Sequence, residues 1–320
     1  MTAPLLELRD LAVHYPDRRA LLGRGPAPVR AVDGVSLALA EGRTLAVVGE
    51  SGSGKSTLAR AVARLLVPTA GTVLWRGRDL HALPPAELRR QRRELQIIFQ
   101  DPLGSLDPRQ PVGRAIERPL VALRPELDAA ARRARVAALL EQVGLPPGWT
   151  GRYPHELSGG QCQRVAIARA IAVEPRLLVC DEPVSALDVS IQAQILNLLL
   201  RLQQELGMAL LFISHNLAVV RRVADAVAVM YRGKVVEQAP ADAFYAGPLH
   251  PYSQALLAAV PVPDPTAARA GRRYRLADDP AVPDTGCPFR PRCPAAIAAC
   301  AAAPDLREVT PGHQVACLRA

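Results

Sequence analysis

Aromatic side chains are scarce in this chain. Its 320 residues include only 6 tyrosines, 4 phenylalanines and 2 tryptophans, 4% of the whole. A core of this composition must be aliphatic, and hydrophobic residues at 49% supply enough material for one. Long apolar runs are also missing: none approaches the roughly 20 residues that a helix needs to cross a bilayer. Residues Met1–Asp10 already carry Glu7, Arg9 and Asp10, which is not the pattern of a secretory leader. These absences predict a soluble, cytosolic chain that can still dock on a membrane protein. The net charge is +9, yet no basic cluster is interleaved with stacking aromatics, which argues against nucleic acid as a partner. The arginines scatter through Ala-rich stretches and read as solvated helix faces. Cysteines are few and uneven. Cys162 and Cys180 stand alone and read as small helix and core residues, whereas Cys287, Cys293, Cys300 and Cys317 crowd the tail.

What is present is organised around one stretch: Gly49, Glu50, Ser51, Gly52, Ser53, Gly54, Lys55, Ser56 and Thr57. It follows the apolar run Leu45–Val48 and precedes Leu58–Leu66, which reads as a helix. Strand, glycine-rich turn and helix together are the context of a phosphate-binding loop. Gly52 and Gly54 let the turn adopt conformations that a Cβ forbids, so that backbone N–H groups close on an anion. The free N–H groups and positive dipole end of the following helix add to this. Lys55 is expected to reach the β/γ-phosphates of ATP, and the Ser56 hydroxyl to ligate Mg²⁺. A second apolar strand, Leu177–Cys180, ends in Asp181-Glu182. Asp181 is expected to hold the Mg²⁺ from the neighbouring strand. Glu182, one residue further, is placed to polarise a water that attacks the γ-phosphate.

Ser158, Gly159, Gly160 and Gln161 open another helix and form a second candidate anion site. One nucleotide cannot easily occupy two helix N-termini of the same subunit. A dimer resolves this: Ser158 and Gly160 of one protomer clasp the γ-phosphate held by Lys55 of the other.

The remaining pattern alternates strands and helices. Residues 5–15 and Val29–Ala40 read as strands flanking a Pro/Gly/Arg loop at Pro16–Pro28. Tyr15, just before that loop, is a candidate to stack on adenine or simply to close a strand edge. Pro84–Glu94 is a short basic helix, and Leu95–Phe99 a strand ended by Gln100. Residues 101–127 read as a proline-broken, turn-rich segment, followed by a helix at Asp128–Val143 with Asp128 as its N-cap. Residues 101–157 thus form a small helical insertion in an α/β body that closes near Gln238. Beyond it come a helix around Tyr252–Ala259, an Arg-rich link (Arg269, Arg272, Arg273, Arg275) and the cysteines.

The set Gly49–Thr57, Gln100, Leu157–Arg164, Leu177–Glu182, Ser185–Asp188 and His215 resembles the ATP-binding cassette ATPases over residues 5–238. The resemblance implies an α/β P-loop core with an antiparallel β subdomain and a helical subdomain. It implies Tyr15 as the adenine-stacking residue and Gln100 as a Mg²⁺ ligand and sensor facing a transmembrane partner. It further implies Glu182 as catalytic base, His215 as the γ-phosphate switch and Asp188 at the dimer seam. Within that family, Phe99–Arg109, His250-Pro251-Tyr252 and Gly286–Pro294 are similar to the oligopeptide/dipeptide importer ATPases. Asn216 departs from the pattern, standing where the family has Asp, and the link before Cys287 is poorer in Pro and Ser.

The tail thiols suit Zn²⁺ or a [4Fe–4S] cluster. No C-x₂₋₄-C pair of the kind zinc sites use is present, and proline follows Cys287 and Cys293 as in cluster-binding loops. The importer resemblance favours the cluster. The expected assignment is a two-part chain, with a cassette at 1–238 and a Cys-rich extension at 239–320. It energises an importer of di- or oligopeptides at the cytoplasmic face of a bacterial inner membrane. The resemblance implies as partners a second ATPase subunit, preferably non-identical, two transmembrane permease subunits and, indirectly, an external solute-binding protein. Alternatives are an importer of nickel or another small solute, and a soluble cassette acting on nucleic acid or ribosomes.

Overall fold

The computed structural model describes residues 3–16, 28–260 and 285–320. The Pro16–Pro28 loop, all but its two ends, and the Arg-rich link lie outside those residues.

The first strands, β1 (Leu6–Tyr15) and β2 (Val29–Leu39), run antiparallel, and β3 (Thr44–Val48) leads into α1 (Lys55–Val62). β3 is buried at every position, as a strand covered on both faces must be. α1 begins at Lys55, where the phosphate loop feeds directly into its first turn, and ends at Val62 rather than Leu66, because Arg64 at φ +54° breaks it.

β4 (Ala70–Trp75) and β5 (Arg78–Asp79) complete a four-stranded antiparallel sheet in the order β2-β1-β4-β5. Sequence pattern does not reveal β4, because only Val73 and Trp75 are buried in it and Gly71 interrupts its alternation. A Cβ on Gly71 would lie 2.3 Å from the Asp10 carbonyl oxygen, so glycine is what lets the two strands close there.

α2 (Pro85–Glu94) and β6 (Leu95–Ile98) follow, then α3 (Val112–Leu123), α4 (Ala129–Gln142) and α5 (Gly159–Ile171). α3 corrects the turn-rich reading of 101–127. Pro119 lies inside this helix, and the burial of Val112, Ala115, Ile116 and Leu120 along one side offsets its cost. Asp128 caps α4 as expected, its carboxylate accepting from the Ala131 N–H at 2.7 Å.

The chain then runs through β7 (Leu177–Asp181), α6 (Val189–Leu206), β8 (Ala209–Ser214), α7 (Leu217–Val223), β9 (Ala226–Tyr231), β10 (Lys234–Pro240), α8 (Ala241–Ala246), α9 (Pro251–Ala258), β11 (Arg307–Thr310) and β12 (His313–Val315). The main sheet has the order β11-β12-β10-β9-β3-β8-β7-β6; β9, β3, β8, β7 and β6 are parallel and the rest antiparallel.

Period-two alternation splits each central strand between two cores. Ala46, Val48, Leu178 and Cys180 join the core under the helical part, while Leu45, Val47, Leu177 and Val179 join the core shared with α1 and the antiparallel sheet. The sheet does not stop near Gln238. β10 runs to Pro240, and β12 from the tail pairs with it. A fully buried carboxylate fixes that seam: Glu237 accepts from the Leu249 and His250 N–H groups at 2.7 and 2.9 Å and lies 2.7 Å from His313 Nε2. Three such partners are what a carboxylate needs to stay buried.

Candidate nucleotide site

The parallel strands β3, β6, β7 and β8 all end at one edge, where ligands of open α/β sheets bind. Four segments leave that edge: the glycine loop after β3, Gln100 after β6, Asp181-Glu182 at the end of β7, and His215 after β8. They line a cleft of about 620 Å³ that contains Gly49, Gly52, Gly54, Lys55, Gln100, Glu182 and His215.

Three glycines make the loop. Gly54 at φ +102° has the Ala31 carbonyl oxygen 1.9 Å from where a Cβ would stand, and Gly49 has the Met230 oxygen 2.2 Å away. Gly52 at φ +79° faces open space, so its requirement is conformational alone. Gly54 caps α1 without any side-chain hydrogen bond, which leaves the first N–H groups of the helix for a ligand.

Lys55 is buried, and its ammonium donates to the carbonyls of Gly49 (2.8 Å) and Glu50 (2.7 Å). Desolvation pulls its pKa below the ordinary lysine value, against the opposing pull of Glu182, Asp181 and Glu50. The Ser56 hydroxyl donates to Asp181 Oδ1 at 2.8 Å. Burial holds the Asp181 carboxyl above its usual range, and the Ser56 bond partly opposes this. A hydroxyl and a carboxylate side by side are the hard oxygen donors that Mg²⁺ takes, so these residues fit the ion.

Glu182 sits at φ +48°, its N–H bonded to the Ile213 carbonyl oxygen at 3.0 Å. Its carboxylate accepts from Gln100 Nε2 at 3.1 Å and lies 3.2 Å from His215 Nδ1. A non-glycine residue in the left-handed region is strained, and here the strained residue places its carboxylate between the Gln100 amide and the His215 imidazole.

Ser158, Gly159, Gly160 and Gln161 do not line this cleft. They open α5, where the Ser158 Oγ accepts from the Gln161 N–H at 3.3 Å and the Gln161 Oε1 accepts from the Ser158 N–H at 2.9 Å. Gly160 is needed for packing: a Cβ there would lie 2.6 Å from Ile191 Cγ2. Asp188 caps α6 without a side-chain cap bond. Tyr15 ends β1 opposite Val29, is 38% exposed and does not line the cleft either. Asn216 replaces the expected Asp without loss of the cap, its Oδ1 accepting from the Ala218 and Val219 N–H groups at 3.0 and 3.4 Å.

The tail cysteines share a neighbourhood. The Cys287 N–H bonds the Cys300 carbonyl oxygen at 3.0 Å, and burial together with the other thiols pushes the Cys287 thiol up. Yet among the described residues no three His, Cys, Asp or Glu side chains are grouped to hold a metal ion. The metal expectation for Cys287, Cys293, Cys300 and Cys317 is therefore not met by their arrangement.

Sequence pattern also misses the side chains that grip the loop from behind. The Tyr252 hydroxyl accepts from the Glu50 N–H at 2.8 Å, and Arg292 donates to both Glu50 carboxylate oxygens at 2.8 and 3.0 Å. His250-Pro251-Tyr252 and Gly286–Pro294 both stand out as motifs, but nothing local pairs Arg292 with Glu50, 242 positions away.

Strand order and cleft define a P-loop nucleotide-binding protein. Residues 32–185 match the ABC transporter family model, and residues 236–300 match the oligopeptide/dipeptide transporter C-terminal region. The chain is 49% identical to the oligopeptide transport ATP-binding protein OppF of Escherichia coli, over 98% of this chain and 96% of that one. It is 51% identical to a putative peptide import ATP-binding protein of Brucella ovis, over 99% and 98%. Among solved structures, a dimeric ATP-binding cassette in a post-hydrolysis state with ADP and Pi matches at 30% identity and TM-score 0.65, covering 74% of this chain and 98% of that one. The cbiO1 cassette of Clostridium perfringens matches at 28% and 0.66, covering 77% and 92%. The chain belongs to the ABC transporter family of ATP-hydrolysing cassettes.

Proposed function

We propose that this ATPase is the energising subunit of an importer for di- or oligopeptides, working at the cytoplasmic face of a bacterial inner membrane. The observation that carries the reading is the meeting of Lys55, Ser56–Asp181 and Gln100–Glu182–His215 at one sheet edge. Gly49 to Thr57 receive the phosphates, and Lys55 turns from the loop carbonyls to the β/γ oxygens. Ser56 and Asp181, with Gln100, would hold Mg²⁺, which when bound would offset the phosphate charge. Glu182 takes the proton of the attacking water, and His215 and Gln100 orient that carboxylate.

Ser158, Gly159, Gly160 and Gln161 lie outside the cleft, so the reading gives them to the nucleotide of a facing subunit. A dimeric cassette among the structural relatives supports this, and a non-identical second ATPase is the expected partner. Peptide cargo is supported by the names of the relatives and by the matched C-terminal region. The permease pair would dock beside 101–112. Among the described residues no helix is long and apolar enough to cross a membrane, so crossing falls to the partners in this reading. A cassette at 1–238, with its helical part at about 101–157, and an extension at 239–320 remain the proposed division. The [4Fe–4S] reading of the tail thiols has the resemblance behind it and the arrangement against it. Iron and acid-labile sulfide in anaerobically purified protein would decide it.

The test is Glu182→Gln. Phosphate release is expected to fall at least about a hundredfold while Mg·ATP stays bound. Normal turnover in that variant would remove Glu182 as the base.

A further inference from the structure

The C-terminal segment reaches the phosphate loop, and it does so through scarce residue types. Phe289 is fully buried, with the rings of Tyr231, Tyr252 and His250 at 5.3, 5.4 and 5.6 Å. That aromatic plug fixes the segment three residues before Arg292. The Arg292 side chain is 8% exposed and closes a bidentate pair with Glu50, whose side chain is 38% exposed and lines the nucleotide cleft. Glu50 is thereby held at three points: its N–H by the Tyr252 hydroxyl, its carbonyl by Lys55 and its carboxylate by Arg292.

A carboxylate inside a phosphate loop is an electrostatic anomaly. Glu50 brings a negative charge to the place where a triphosphate must bind, and it already draws on Lys55. Fork-to-fork pairing with a guanidinium neutralises that charge and fixes its direction at once.

We propose that Arg292 is a positioning residue of the nucleotide site: it reaches in from the C-terminal segment to hold and neutralise the Glu50 carboxylate, so that the loop accepts a polyanion. The C-terminal segment thus sets the affinity of this chain's own ATP site. The inference rests on the assignment of ATP to this loop.

The experiment is calorimetric titration of the full-length chain with Mg·ATP at fixed salt. Arg292→Ala is expected to weaken binding about tenfold, and Arg292→Lys, which keeps the charge but loses the fork, about threefold. At saturating ATP, turnover of Arg292→Ala stays within about twofold of the wild type, so the loss appears in KM and not in kcat. The double variant Glu50→Gln/Arg292→Ala recovers to within about threefold of wild-type affinity, because the unpaired charge is gone. Unchanged binding in Arg292→Ala overturns the inference. A double variant as weak as Arg292→Ala alone also overturns it, since a merely structural tether would give that result. A Lys55→Ala arm separates the two failures: normal binding there sinks the site reading and the inference with it, whereas binding lost there but unchanged in Arg292→Ala sinks the inference alone.

Discussion

Two helix N-termini in this chain have glycine at or beside their first turn and stand in opposite states. α1 starts from Gly54 in a left-handed conformation with no side-chain cap, and its loop curls around the Lys55 ammonium. α5 starts from Ser158, which closes a reciprocal capping box with Gln161. The first is an open cradle whose unmet N–H groups await an anion. The second is capped within its own chain: the Ser158 oxygen accepts from the Gln161 N–H, which leaves the hydroxyl O–H as the group that can donate outward. The difference is what the proposed two-subunit centre requires: in that reading one N-terminus holds nucleotide and the other is recruited to it.

The comparison can be broken most forcefully at Gly54. Gly54→Ala puts a methyl 1.9 Å from the Ala31 carbonyl oxygen at a positive φ. The loop must shift, and Mg·ATP affinity measured by titration is expected to fall by about a hundredfold or more. Wild-type affinity there would mean that the open state of α1 does not depend on this geometry.

Next in size is His250, the N-cap of α9, whose Nδ1 accepts from the Tyr252 N–H at 3.0 Å. Burial lowers its pKa from 6.5 to about 4. Between those values the unfolded chain binds the proton and the folded chain does not. The neutral ring's contribution is therefore complete above pH 6.5 and is lost as pH falls toward 4, by up to about 3 kcal/mol. Denaturant midpoints measured from about pH 7 down to about pH 4.5 should fall in the wild type and flatten in His250→Gln. Parallel curves would show that this cap does not titrate as described.

Ser158→Ala sharpens the contrast between the two N-termini. Loss of the cap should cost about 1 kcal/mol in chemical denaturation. ATP-driven dimerisation, followed by light scattering in the Glu182→Gln background, should weaken further than that. A loss of stability with no loss of dimerisation would confine Ser158 to capping.

The smallest effect is expected at Asn216. Asn216→Asp keeps both acceptor bonds and adds charge at the start of α7, which should stabilise by about 0.5 kcal/mol. Destabilisation would indicate that the amide has a further partner.

Local pattern revealed much of the fold and site. The loop from Gly49 to Thr57, the acidic pair after Leu177–Cys180 and the Asp128 cap are chemistry written in consecutive residues. α3 was not legible, because Pro119 is a breaker in any short window and only the burial of Ile116 and Leu120 overrides it. β4 was not legible either, since two inward side chains in six residues make too weak an alternation.

By itself the sequence determined which residues could do phosphate chemistry, since a glycine loop, a lysine and strand-end carboxylates act through types and spacings that the chain carries locally. It determined the aliphatic core as well, through composition. Only the tertiary structure decided that β12 extends the main sheet, that the scarce aromatics gather around Phe289, and that Arg292 grips Glu50. The reason is physical: a salt bridge or an added strand joins residues far apart in the chain, and its partner is chosen by how the sheet is ordered, which no short stretch of sequence encodes.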